Sequence, residues 1–255
     1  MKKILTALLL TAAASTTASA NMTGLYVGVA GITGATTAKY TDVPGVANSA
    51  AGPTFRMDSG KTSFGGRLEV GYGMTFSGCG WFGVSIYATA LNTKMVLNDS
   101  LGNPGSVTVP ATASMAYSRA TLKNKFNYGA EFKLGYHFTK DTVGFIGIAA
   151  EAGKYRLDWT QNTFNTRASV TLRPTLRASK TKVYAKPVIG VRTTGLGGNR
   201  NLFLEAKYGY GFANKVTLSV PVDALGATTA ASTQGRTVSA RPRTHEFSVT
   251  IGWRF

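Results

Sequence analysis

Over 255 residues the chain carries 28 Lys and Arg against 11 Asp and Glu, a formal charge of +17, with 44% hydrophobic positions, 30 glycines and one cysteine. Beyond the leading segment no stretch approaches the ~20 apolar residues of a transmembrane helix, and a single cysteine excludes an internal disulfide. Two classes remain: a closed β-barrel, the only other way to satisfy every backbone group in lipid, and a soluble all-β domain.

Residues 1–20 read as a cleaved export signal. Lys2 and Lys3 form its charged start, Ile4 to Leu10 its apolar centre, and Ala18-Ser19-Ala20 an A-x-A cleavage site before Asn21. The mature chain, 21–255, then has a charge of about +15, two lysines fewer. Its first strand, 24–32, sets Leu25, Val27 and Val29 against Tyr26, Gly28 and Ala30. A Thr-, Gly- and Pro-containing loop follows to about residue 62. The second strand, 64–76, puts Phe64, Leu68, Val70, Tyr72, Met74 and Phe76 on one face and Gly65, Arg67, Glu69, Gly71 and Gly73 on the other.

A short turn at Ser77-Gly78-Cys79-Gly80 leads to the third strand, 81–91, and Cys79 reads as a small turn residue. After a long loop, the fourth strand, 126–138, alternates Phe126, Tyr128, Ala130, Phe132, Leu134, Tyr136 and Phe138 with Asn127, Gly129, Glu131, Lys133, Gly135 and His137. At roughly 3.3 Å per residue and a tilt of ~45° such a strand projects to about 28 Å, enough to cross an apolar band ~25 Å tall. Another short turn, Thr139-Lys140-Asp141, precedes the fifth strand, 143–155.

A basic loop comes next, and then the sixth strand, 183–192, with Lys186 and Arg192 on its polar side. Pro187 interrupts that strand, and because proline belongs at edges or bulges while a closed barrel has no edge, a bulge is expected there. The turn Gly195 to Asn199 introduces the seventh strand, 202–212, and a last long loop reaches the eighth. That strand, 244–255, alternates Phe247, Val249, Ile251, Trp253 and Phe255 with Glu246, Ser248, Thr250, Gly252 and Arg254. Connections that run alternately long and short make an up-and-down meander with both termini on the short-turn side.

The charges orient the pleat. All five glutamates, Glu69, Glu131, Glu151, Glu205 and Glu246, fall on the Gly-rich parity. Arg67 with Glu69, Glu131 with Lys133, Glu205 with Lys207, and Glu246 with Arg254 share a parity within one strand. The opposite parity is uncharged in these windows and gathers aromatics at its ends, as two interfacial girdles would. A soluble barrel would show the reverse, with an apolar interior and a charged exterior. The expectation is an all-β, eight-stranded antiparallel up-and-down transmembrane β-barrel with four long extracellular loops and short periplasmic turns. Its lumen would hold a charge network of Arg67, Glu69, Glu131, Lys133, Glu151, Lys186, Arg192, Glu205, Lys207, Glu246 and Arg254, since eight strands enclose just enough room for side chains.

The opening Gly24-Leu25-Tyr26-Val27-Gly28, the Gly-aromatic-x-Phe units Gly135-Tyr136-His137-Phe138 and Gly252-Trp253-Arg254-Phe255, and the terminal Phe255 resemble the small eight-stranded OmpA-like and opacity-type outer-membrane proteins. The resemblance spans the mature chain. It implies a Gram-negative outer-membrane location and assembly by the outer-membrane insertion machinery, with Trp253 and Phe255 in the recognition signal.

For function, no metal cluster, phosphate loop or nucleotide fingerprint occurs, and neither a cofactor nor a nucleic-acid partner is expected. His245 and Ser248 are three apart and point to opposite faces, and His137 lies inward, so no catalytic residue is assigned. The expected role is structural or surface interaction. Outside the strands the chain is basic, and Arg167, Arg173, Arg177, Lys180 and Lys182 form the candidate surface for anionic partners, either lipopolysaccharide phosphates at the rim or anionic glycans. Two alternatives differ in class: a small-solute porin with a narrow or gated pore, and a lipid-A-modifying enzyme.

Overall fold

A computed structural model describes residues 22–43, 55–99, 115–164, 170–172, 175–212, 215–220 and 236–255. The proposed signal segment 1–20 lies outside these residues, as do Arg167 and Arg173. The strands are β1 (Gly24–Val43), β2 (Phe55–Phe76), β3 (Gly80–Asp99), β4 (Met115–Thr139), β5 (Thr142–Phe164), β6 (Val170–Leu172), β7 (Leu176–Thr194), β8 (Leu202–Phe212), β9 (Val216–Val220) and β10 (Arg236–Arg254). Antiparallel ladders run β1-β2-β3-β4-β5-β7-β8-β10, and β10 pairs back to β1 from Tyr26↔Arg254 to Val43↔Thr237, closing a ring of eight. β9 extends the line of β8 along β10, and β6 pairs with the end of β5. Met22, the first described residue, Phe255 and the turns at 77–79, 140–141 and 195–201 lie at one end, called here the short-turn end.

Alternation decides what each side of the wall meets. Leu25, Val29, Leu68, Ile86, Phe132, Ile146, Ile148, Ile189, Val249 and Ile251 all point outward and are exposed, Ile86 to 66%. Leaving so much apolar surface in water would forfeit ~25 cal/mol per Å² around the whole circumference, so this belt is the lipid-facing wall of a membrane-spanning barrel. Phe64, exposed to 77%, and Phe255, to 75%, stand at its two margins.

The strands do not stop where the apolar belt stops. Residues 33–43, 55–62, 92–99, 115–125, 156–164, 176–182 and 236–243, expected as loop, continue the strands toward the far end. There the polarity of the pleat inverts. On β5 the outward row passes from Ile146 and Ile148 to Lys154 and Arg156, while the inward row passes from Glu151 to the buried Tyr155, Leu157 and Trp159. The alternation persists; only its sign changes, because water replaces lipid outside.

The ring also divides in this region. The β2–β3 ladder ends at Gly65↔Leu91, and the β7–β8 ladder ends at Val188↔Gly209. Among the described residues no ladder joins the strands beyond those points, so the barrel continues as two facing sheets, β2-β1-β10-β9 and β3-β4-β5-β7. Between them lies a core of Tyr40, Val216 and Val238 from one sheet and Met95, Leu97, Leu122, Leu157 and Trp159 from the other. Side chains bridge both seams. Ser59 Oγ donates to the carbonyl of Val96 at 2.7 Å, and the Tyr184 ring lies so close over Gly211 that a Cβ there would sit 2.8 Å from it.

The bulge expected at Pro187 is absent, since the β5–β7 register runs unbroken through Ile148↔Pro187. Instead the ladder to β8 ends beside it, at Val188. A residue without an N–H sits where the wall acquires an edge, which is where proline is tolerated.

Candidate functional site

Inside the membrane-spanning section five acids meet five bases, each of the ten residues no more than 4% exposed. Toward the short-turn end, Lys133 Nζ reaches Glu69 at 2.9 Å, Glu205 at 2.8 Å and Glu131 at 3.5 Å. Lys207 lies 2.7 Å from Glu131 and 3.2 Å from Glu69, and Arg192 Nε donates to Glu205 at 2.8 Å. Toward the far end, Lys186 bridges Glu151 and Glu246, and Arg67 pairs with Glu246. Each subgroup is balanced, three acids with three bases and two with two, as burial of charge requires.

The spare lone pairs are taken by residues that the alternation of charge did not single out. Tyr26 donates to Glu69 at 3.1 Å, and Tyr87 and Asn127 donate to Glu151, both at 2.8 Å. Tyr184 also donates to Glu151. The Tyr87 ring passes over β4 to reach Glu151 on β5 because β4 has glycine at 129, where a Cβ would meet the ring at 2.8 Å. The guanidinium of Arg67 stacks 4.2 Å over Tyr87, and that of Arg192 lies 4.1 Å over Tyr26. Aromatic residues on the inward parity next to glycine were the available signal.

Arg254 does not join the five bases. It stands half-buried at the short-turn mouth and donates to the carbonyl of Arg200 at 3.1 Å. Parity placed it on the correct face, but eight positions from Glu246 at roughly 3.3 Å each is about 26 Å along the strand. Apolar layers lie on either side of the network. Met22, Trp81, Val143 and Phe145 pack below it, with Trp81 fully buried, and the core between the two sheets lies above.

The expected basic loop residues stand mostly on strands. Lys39, Lys94, Arg241 and Arg243 are exposed on the outward faces of the far-end sheets, as is Lys154, which was expected within the fifth strand. Arg177 lies 3.8 Å from Asp158, whose oxygens also take Lys123 and Arg156, both at 2.7 Å. Lys180 and Lys182 fall on the inward parity of β7, opposite Tyr155 and Gly153, yet reach solvent because β7 is an edge there. Lysines placed so discourage edge-to-edge pairing, a structural reason for part of this cluster.

His245 and Ser248 take opposite sides of β10, His245 exposed and within 2.6 Å of the Tyr208 hydroxyl, Ser248 buried. His137 faces inward, 3.3 Å from Thr75 Oγ1. Among the described residues no three His, Cys, Asp or Glu stand together as metal ligands. Cys79 is half-buried in the first short turn. Trp253 and Phe255 project outward at the end of β10.

No family model and no curated protein sequence matches the chain. Among solved structures it is similar to Neisserial surface protein A, at 13% identity over 88% of this chain and 97% of that one, with a TM-score of 0.38. It is similar to Ail, the attachment invasion locus protein of Yersinia pestis, at 11% identity over 91% and 100%, with a TM-score of 0.36. It is also similar to the outer membrane protease OmpT from Escherichia coli, at 8% identity over 95% and 99%, with a TM-score of 0.32.

Proposed function

We propose that this is an exported outer-membrane barrel whose role is structural and surface-interactive, meeting anionic partners through the sheets that stand beyond the bilayer. Residues 1–20 would direct export, and Trp253 and Phe255, at the outward margin of the closing strand, would be read by the insertion machinery. The observation that carries the reading is the contrast between the two charge populations. Lumen cations are each held by a carboxylate, between two apolar layers, while Lys39, Lys94, Lys154, Arg241 and Arg243 face outward into solvent. A surface of one sign attracts polyanions and raises their local concentration.

Lipopolysaccharide phosphates around the rim and anionic glycans beyond it are the partners of matching chemistry. The folded protein in detergent should be retained on heparin and eluted by salt. Neutralising Arg167, Arg173, Arg177, Lys180 and Lys182 together should weaken that retention. Retention unchanged by the five substitutions would reject this cluster as the glycan-binding surface.

A further inference from the structure

One part of the outer surface is organised beyond general basicity. Where β10, β1 and β2 run side by side, Arg243 pairs with Thr37 and Thr37 with Gly60; one step outward, Arg241 pairs with Lys39 and Lys39 with Asp58. All six side positions face outward and are exposed, and with Ala38 and Ser59 they line a single cavity of about 420 Å³. Gly60 contributes no side chain, leaving the floor open beside the Thr37 side chain, whose Cγ2 is 3.8 Å from where a Cβ would stand. Among the described residues Lys39, Arg241 and Arg243 form no ion pair or hydrogen bond, in contrast to the bases of the lumen.

The height of the cavity identifies what it meets. Phe247 and Phe64 flank Thr33 in the outward row that marks the apolar margin. Arg243 is four residues farther and Arg241 and Lys39 six, which at roughly 3.3 Å per residue and ~45° tilt is about 9 Å and about 14 Å above that row. A bilayer's polar layer is about 5–8 Å deep on each side of its hydrocarbon core, so Arg243 stands just above its outer boundary, and the long side chains of Arg241 and Lys39 would reach down to the same headgroups. Three cations and Asp58 leave a local charge of +2. A phosphate monoester carries about −1.5 to −2 at neutral pH. A zwitterionic phosphodiester carries less and brings its own cation.

We propose that the cavity bounded by Lys39, Arg241 and Arg243 is a binding site for a phosphate monoester carried by a membrane lipid. Arg241 and Arg243 would each offer paired N–H donors to phosphate oxygens, Lys39 a point charge beside Arg241, and Thr37 a hydroxyl. Asp58 at the far side would accept from a hydroxyl of the headgroup. The site rests on the outer-membrane reading, because it needs the barrel inserted to that depth. It is independent of the cluster around Lys180.

The test uses the full folded protein in phosphatidylcholine vesicles doped with phosphatidic acid, a phosphomonoester, or phosphatidylglycerol, a phosphodiester. Insertion is checked by co-flotation and retained lipid is counted by native mass spectrometry. Phosphatidic acid should be retained over phosphatidylglycerol by about tenfold. The preference should vanish in Lys39→Ala/Arg241→Ala/Arg243→Ala, or in Arg241→Gln/Arg243→Gln should the triple variant insert poorly. It should persist in Arg177→Ala/Lys180→Ala/Lys182→Ala, which removes the same charge elsewhere. Failure of the wild type to float counts against the membrane reading itself. Flotation with equal retention of both lipids, or equal loss in both triple variants, overturns the site. Displacement by inorganic phosphate overturns the lipid as its source.

Discussion

Lys207 on β8 and Glu131 on β4 meet at 2.7 Å although three strand-to-strand steps separate them around the ring. Contacts of this kind form only when the sheet curls round on itself, as the β1–β10 ladder completes. The lumen network also fixes register. A one-residue slip of β4 would carry Glu131 and Lys133 to the lipid face, where a buried base alone costs about 2–4 kcal/mol.

Removing one base should therefore be far worse than its small size suggests. Lys133→Met leaves Glu69, Glu131 and Glu205 with only Lys207 and Arg192 nearby. The expected loss is about 3–5 kcal/mol, the cost of an uncompensated buried charge. Urea unfolding of the barrel from lipid vesicles measures it, and a midpoint at the wild-type value would mean that the network contributes little.

The inversion of polarity along β5 gives a second prediction on a single strand. Ile146 is outward and 65% exposed, so Ile146→Arg should cost about 2–4 kcal/mol if lipid covers it. Lys154 is also outward, so Lys154→Ile should change stability by no more than about 0.5 kcal/mol. Leu157, inward and fully buried, should cost about 2–5 kcal/mol when cut to alanine. Equal tolerance of arginine at 146 and isoleucine at 154 would place the bilayer boundary elsewhere.

Which parts of this were readable in the sequence follows from the same physics. Alternation with period two needs no partner to be seen, so the membrane-spanning windows and the inward glutamates were legible. The far-end sheets were not, because Lys94, Lys123 and Arg156 look like loop residues when polar is equated with irregular. Met95 with Leu97, and Tyr155 with Leu157 and Trp159, kept the alternation on the other parity and were the available signal. Pro187 announced a lost donor but not which ladder would end. Arg254 has the parity of the network but lies at the mouth, because parity gives a side and not a depth.

The edge on β7 leads to a third prediction. From Val188 to Thr193 that strand has ladders to both β5 and β8; from 176 to 187 it has one only, to β5. Amides of 176–187 that face the seam should exchange with deuterium at least about tenfold faster than those of 188–193. Hydrogen exchange with peptide resolution in vesicles reads the difference directly. Uniform protection along β7 would mean that the seam is zipped in solution.

The two apolar layers predict how the barrel behaves as a channel. At the short-turn end Trp81 packs 6.0 Å from Phe145, centroid to centroid, and the Arg192 guanidinium lies 5.1 Å from the Trp81 ring. Behind that layer stands the ion-paired network, and behind the network the core between the two sheets. The wild-type protein should therefore give no steady current in planar bilayers. Trp81→Ala should lower stability by about 3–5 kcal/mol, since a large buried ring leaves a cavity. It should still not conduct, because the Arg192–Glu205 pair and the far-end core remain in place. Steady current from either protein would show that these layers yield in the membrane and would make solute passage the better account of the lumen.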